Sequence, residues 1–167
     1  MQNHNARFPA RRRLAGAAGL ATALLLATSA AQAESPFGAL NGTWSGSGTI
    51  QFEGGQTERL RCNAYYTSSA GATELGLAIR CASASNRIEI RGRLAYRSGS
   101  VSGNWEERTF NASGTASGQA SNNRISLRLA GAIPGSMNVT VSRSRQSVAI
   151  NTQGGGLRAV RIGLSRR

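Results

Sequence analysis

The chain contains no Asp and no Lys, and its single His, His4, lies near the amino terminus. From residue 34 onward, every basic side chain is Arg and every acidic one is Glu. The missing types supply most general bases, Schiff-base amines and metal ligands, so their absence argues against catalysis and against a metal site or cofactor. Serine is plentiful but has no His, Asp or Lys to activate it. Glu106 and Glu107 are adjacent on an extended segment and point to opposite faces, which is wrong for two carboxylates acting across one substrate bond. The expectation is a noncatalytic protein.

Long apolar runs are also missing. Leu14 to Ala30 is uncharged but broken by Gly16, Gly19, Thr22, Thr28 and Ser29, short of the roughly 20 strongly apolar residues that span a bilayer. With Arg7, Arg11, Arg12 and Arg13 before it and Ala31-Gln32-Ala33 after it, the stretch reads as an export signal, residues 1–33, cleaved before Glu34. The general secretory route is the reading adopted, and Arg11-Arg12 followed by Leu14 also fits a twin-arginine signal. No Cys follows the cleavage site, so no bacterial lipid anchor is expected. The expected location is the periplasm or the cell exterior.

What remains is enough for one domain: a short N-terminal segment, 34–41, and a single domain, 42–167. Twenty Arg, four of them before residue 34, leave sixteen against seven Glu, a formal charge of +9. For an exported protein this points to anionic lipid, lipopolysaccharide or acidic polysaccharide rather than nucleic acid. The plainer alternative is that the charge keeps a Gly-rich β protein soluble and its sheet edges unpaired.

Period-two alternation runs along the whole remaining chain, and no helical periodicity interrupts it. Trp44, Gly46, Gly48, Ile50 and Phe52 share one face of a first strand, and Ile88, Ile90, Gly92, Leu94 and Tyr96 share one face of a fourth. About ten strands follow one another through short polar turns, which leave no room for crossover helices. The predicted fold is all-β: an antiparallel up-and-down meander barrel, with a two-sheet sandwich as the alternative. Cys62 and Cys81 fall opposite each other when the second hairpin folds about residues 71 and 72, which predicts a cross-strand disulfide.

The inward face is rich in small residues: Gly46, Gly48, Ala64, Gly92, Gly103, Ala112, Gly114, Ala116 and Gly118. These either leave a cavity for a small ligand or permit tight bends that let the walls approach, and the second reading is preferred.

Asn41-Gly42-Thr43-Trp44, opening the first strand of an exported meander barrel, resembles the Gly-x-Trp opening of lipocalins and avidin-like proteins. That resemblance implies a Trp closing one barrel end and a ligand entering the other. No avidin-like ligand residues carry over. The Cys spacing is similar to that of small periplasmic metalloprotease inhibitors, also lipocalin-like barrels, which implies inhibition through an N-terminal segment. Here only Glu34 to Leu40 is available for that role.

Strand alternation assigns the two ends. Trp44, Tyr66 and Tyr96 gather as a floor; Phe52, Glu107 and Met137 approach the other end, beside the apolar loop holding Ile133. A pocket mouth is expected there, with Trp105 in its wall and Glu107 as its polar contact. Alternatively these aromatics are simply the core, and Glu107 is a solvated rim residue. On the outside, Arg59, Arg61, Arg80, Arg87, Arg91, Arg93 and Arg97 lie on three successive strands and form a candidate surface for anionic envelope components. The expected function is noncatalytic binding of a small apolar ligand in the barrel or of such a component on its surface. A periplasmic protease inhibitor and a purely structural envelope protein are the alternatives. An outer-membrane barrel is disfavoured by the 5% aromatic content, which supplies no two-row girdle.

Overall fold

The computed structural model describes residues 34–167, and the export signal read in residues 1–33 lies outside them. One helical turn, α1 (Phe37–Leu40), precedes ten strands: β1 (Gly42–Phe52), β2 (Thr57–Ser68), β3 (Glu74–Ala82), β4 (Arg87–Arg97), β5 (Ser100–Glu107), β6 (Ala112–Ser121), β7 (Arg124–Gly131), β8 (Gly135–Val141), β9 (Arg145–Thr152) and β10 (Leu157–Arg166). Each strand pairs with its neighbours in sequence, and β1 pairs with β10, so the sheet closes into an up-and-down barrel rather than a sandwich. Closure leaves no edge strand to be protected.

Binary patterning decides which face turns inward. In β2, Leu60, Cys62, Ala64 and Tyr66 are buried while Arg59, Arg61, Tyr65 and Thr67 are exposed. Cys62 is register partner to Cys81 and the two form a disulfide, as the hairpin symmetry predicts. Loop chemistry follows the same local logic. Ser98 and Gly99 have φ of 45° and 89°, the two left-handed positions of the tight turn that joins twisted strands with least splay.

Several inward glycines stand where the neighbouring backbone comes close. A Cβ placed on Gly46 would lie 2.0 Å from the Gly163 carbonyl oxygen, and one on Gly114 1.8 Å from that of Ala130. At these points the adjacent strand's backbone occupies the space a side chain would take, so the wall curves sharply there. Gly92 and Gly114 are the register partners of Trp105, and a Cβ on Gly114 would lie 3.0 Å from the indole, so its missing side chain leaves the ring room.

The helical turn α1 is an element that alternation did not foretell. Pro36, with no amide hydrogen to satisfy, begins it, and Phe37 and Leu40 turn into the barrel end at 0% and 2% exposure. Those two side chains plug the end toward which β1 begins.

Candidate functional site

The plugged end is built as a floor. Trp44 is fully buried, and its indole Nε1–H donates to the Leu40 carbonyl at 2.7 Å. The Arg166 guanidinium lies 4.4 Å from the Trp44 ring centroid and donates to the carbonyls of Ala39 and Asn41. One side chain from the last strand therefore holds the indole by cation–π attraction and also satisfies carbonyls at the end of the helical turn. Phe37 meets Tyr96 edge to face at 6.1 Å. Tyr66 accepts a 2.8 Å hydrogen bond from Gln146, and burial pushes its hydroxyl up to about 12. The sequence analysis missed Gln146, although it occupies the inward parity of β9 ahead of Val148 and Ile150.

The other end differs in kind. Phe52, Ile88, Trp105, Leu129, Met137, Ile150 and Leu157 pack against the core but are only partly buried. Met137 pairs with Leu127 and Ile150, Trp105 with Gly92 and Gly114, and Phe52 with Leu157. Ile133 is half-buried at the rim, where its loop meets the β9–β10 turn through a hydrogen bond from Gln153 N–H to the Pro134 carbonyl. This end carries apolar side chains facing inward with no plug over them among the described residues. The Trp105 indole Nε1–H is buried there without a hydrogen-bond partner. An unmade bond of that kind costs about 1–3 kcal/mol.

Glu107 is not a solvated rim residue. It is 6% exposed, and its carboxylate accepts backbone N–H groups from Glu89 at 2.9 Å, Thr109 at 3.1 Å and Phe110 at 2.6 Å. The carboxylate thus anchors the β5–β6 turn to β4. Three acceptor sites are used internally, which leaves little capacity for a ligand.

The N-terminal segment is similarly committed. Pro36, Phe37 and Leu40 are buried in the floor, which holds the segment down and leaves Glu34, Gly38 and Ala39 exposed. That is a poor match to inhibition through this segment.

The Arg residues picked out on β2, β3 and β4 do share an outer wall, with acids among them. Glu89 on β4 pairs with Arg91 at 2.8 Å, Arg80 at 3.7 Å and Arg108 at 3.9 Å. The bond from Arg91 and the neighbouring Arg charges hold the Glu89 carboxyl below the usual carboxylate range. Glu58 is lowered as well, chiefly by hydrogen bonds from Ser83 and Ser85. Over residues 34–107, seven Arg meet seven Glu; from 108 to 167 there are nine Arg and no acid. The wall with the densest run of Arg in sequence therefore belongs to the electrically balanced half of the chain.

No group of three or more metal-ligating side chains occurs among the described residues, and none of their helices is long and apolar enough to cross a membrane. The barrel's apolar face is inside and its Arg, Ser and Thr residues are outside, the reverse of a lipid-facing wall.

A closed, antiparallel meander plugged at one end by an N-terminal turn and a buried Trp is a calycin-like barrel. Two solved structures share the architecture. Rv2717c from M. tuberculosis aligns over 77% of this chain and 93% of its own, with a TM-score of 0.63 and 14% identity. The S-type phycobiliprotein lyase CPES from Guillardia theta aligns over 78% and 89%, with a TM-score of 0.52 and 13% identity. No protein family and no curated protein matches the sequence.

Proposed function

We propose that this protein is an exported, noncatalytic barrel that binds a small, largely apolar ligand at its unplugged end. The observation that carries this reading is the difference between the two ends. At the floor, Phe37, Leu40 and Trp44 are at most 2% exposed, whereas toward the opposite end Phe52, Ile88, Trp105, Leu129, Met137, Ile150 and Leu157 are only partly covered. Partly covered apolar surface of this kind gains free energy when an apolar molecule displaces water from it. The unbonded Trp105 N–H adds a donor in that tier for a ligand oxygen. The lack of Lys, Asp and mature-chain His supports binding over turnover, since the carboxylate at this end, Glu107, is already committed to three backbone N–H groups. That one structural neighbour is a phycobiliprotein lyase is compatible with a small-molecule ligand in such a fold.

Native mass spectrometry of the protein purified from its own cells, before and after organic extraction, tests the reading. A bound mass lost on extraction supports it and identifies the ligand class. In parallel, a Trp44→Phe variant leaves Trp105 as the sole indole, and its emission is followed during titration with 1-decanol. A saturable blue shift, weakened by Met137→Glu, is expected. A bare mass together with a flat titration refutes the proposal.

A further inference from the structure

We infer that the outer wall formed by β7 to β10 is a binding surface for a linear acidic polysaccharide. The observation is one of distribution. The formal +9 of residues 34–167 resides entirely in residues 108–167, and the closed meander places those residues on one contiguous half of the barrel. Arg124 and Arg128 stand on β7, Arg143 and Arg145 at the β8–β9 turn and the start of β9, and Arg158 at the start of β10; all are exposed. None of these five side chains makes an ion pair among the described residues. Arg161 and Arg166, by contrast, are engaged with neighbouring carbonyls or with Asn151.

The spacing suits an extended chain rather than a single small anion. Arg124 and Arg128 are four residues apart, about 13 Å along the strand, and β7 to β10 extends about 14 Å across it. Between the Arg residues the wall presents Ser126, Asn138, Thr140, Ser147 and Asn151, all exposed. A shallow concavity of about 520 Å³ runs along it, lined among others by Ser126, Arg128, Ser136, Asn138 and Asn151. Guanidinium forks match carboxylates bidentately, and hydroxyl and amide side chains match sugar hydroxyls. A bilayer is the poorer fit. The two large apolar side chains that are exposed, Tyr65 and Phe110, lie on β2 and in the β5–β6 turn, so this wall offers nothing to insert between lipids.

The test uses the full mature protein and polygalacturonate as probe, with uncharged dextran as control. Binding is measured by calorimetry and by the salt needed for elution. Polygalacturonate should bind, and binding should weaken steeply as salt rises. The triple variant Arg124→Gln, Arg128→Gln, Arg145→Gln should lose about tenfold or more in affinity. The triple variant Arg59→Gln, Arg61→Gln, Arg93→Gln removes the same charge from the opposite half and should stay within about twofold of the parent. Thermal melts establish that both fold, and R128Q and R145Q singly serve if the first triple does not. Equal losses in the two triples would show that only overall charge matters and overturn the inference. So would no binding of polygalacturonate, or stronger binding to phosphatidylglycerol vesicles than to the polymer.

Discussion

Replacing Glu107 with Ala should destabilise the barrel by about 3 kcal/mol, whatever the ligand. The carboxylate accepts three backbone N–H groups, two at Oε1 from Glu89 and Thr109 and one at Oε2 from Phe110. Bonds to a charged acceptor contribute roughly 1.5–3 kcal/mol each when the donors would otherwise stay dry. Residues 108–111 are exposed, so water reaches the Thr109 and Phe110 amides once the carboxylate is gone, whereas the Glu89 amide lies on a half-buried residue. Allowing about 1 kcal/mol per donor gives the total, which corresponds to about 10 °C in Tm for a domain of this size. Glu107→Gln can keep its carbonyl toward Oε1's two donors but turns an amide N–H toward Phe110 N–H, so about half the loss is expected. Chemical denaturation followed by circular dichroism reads both variants. A loss under about 0.5 kcal/mol for Glu107→Ala, with normal cooperativity, would refute the turn-anchor role and return Glu107 to the ligand contacts.

Three further outcomes follow from other parts of the barrel. Removing the Cys62–Cys81 bridge, which closes a loop of 19 residues' separation, should cost about 3 kcal/mol by loosening the unfolded chain, and the intact protein should weigh two hydrogens less than its reduced form. Stability of the barrel, residues 34–167, should be level from about pH 6 to 9, where none of its side-chain types ordinarily titrates, and then fall. Tyr66 is held neutral up to about 12 in the fold, so the unfolded chain, whose tyrosine ionises at the ordinary value near 10, loses its proton first. The corresponding stability is intact below pH 10 and on the order of 2–3 kcal/mol is lost as the pH rises toward 12; alkaline melts of Tyr66→Phe should lack that component. Gly114→Ala would set a methyl 1.8 Å from the Ala130 carbonyl oxygen and 3.0 Å from the Trp105 ring, and should either block folding or lower Tm by more than 10 °C with altered Trp105 emission. A Tm within about 2 °C of the parent would show that the Gly114 bend is not required.

The strands and their inward faces were legible because one buried face imposes a period of two, and the 62–81 register followed from the symmetry of a single hairpin. The floor residues Trp44, Tyr66 and Tyr96 followed from parity and strand direction. The helical turn was not legible: four residues are too few for a helical period, and Phe37 and Leu40 show their purpose only once an open barrel end stands beside them. The internal role of Glu107 was hidden because its partners are backbone amides, which carry no residue signature. The distribution of surface charge was hidden for a different reason. The eye goes to the dense arginines of β4, whereas the absence of any acid after Glu107 becomes a surface property only when the topology gathers residues 108–167 on one side.

The pairing of β1 with β10 has a consequence for how the protein comes into being. Until β10 has emerged, β1 to β9 can form at most an open sheet with two bare edges, and Trp44 lacks the guanidinium that later covers it. The decisive contacts join residues more than a hundred positions apart, which makes closure slow compared with hairpin formation. Chains truncated within β10 should therefore self-associate through those edges, and β10 acts as the latch that converts an aggregation-prone ribbon into a closed shell.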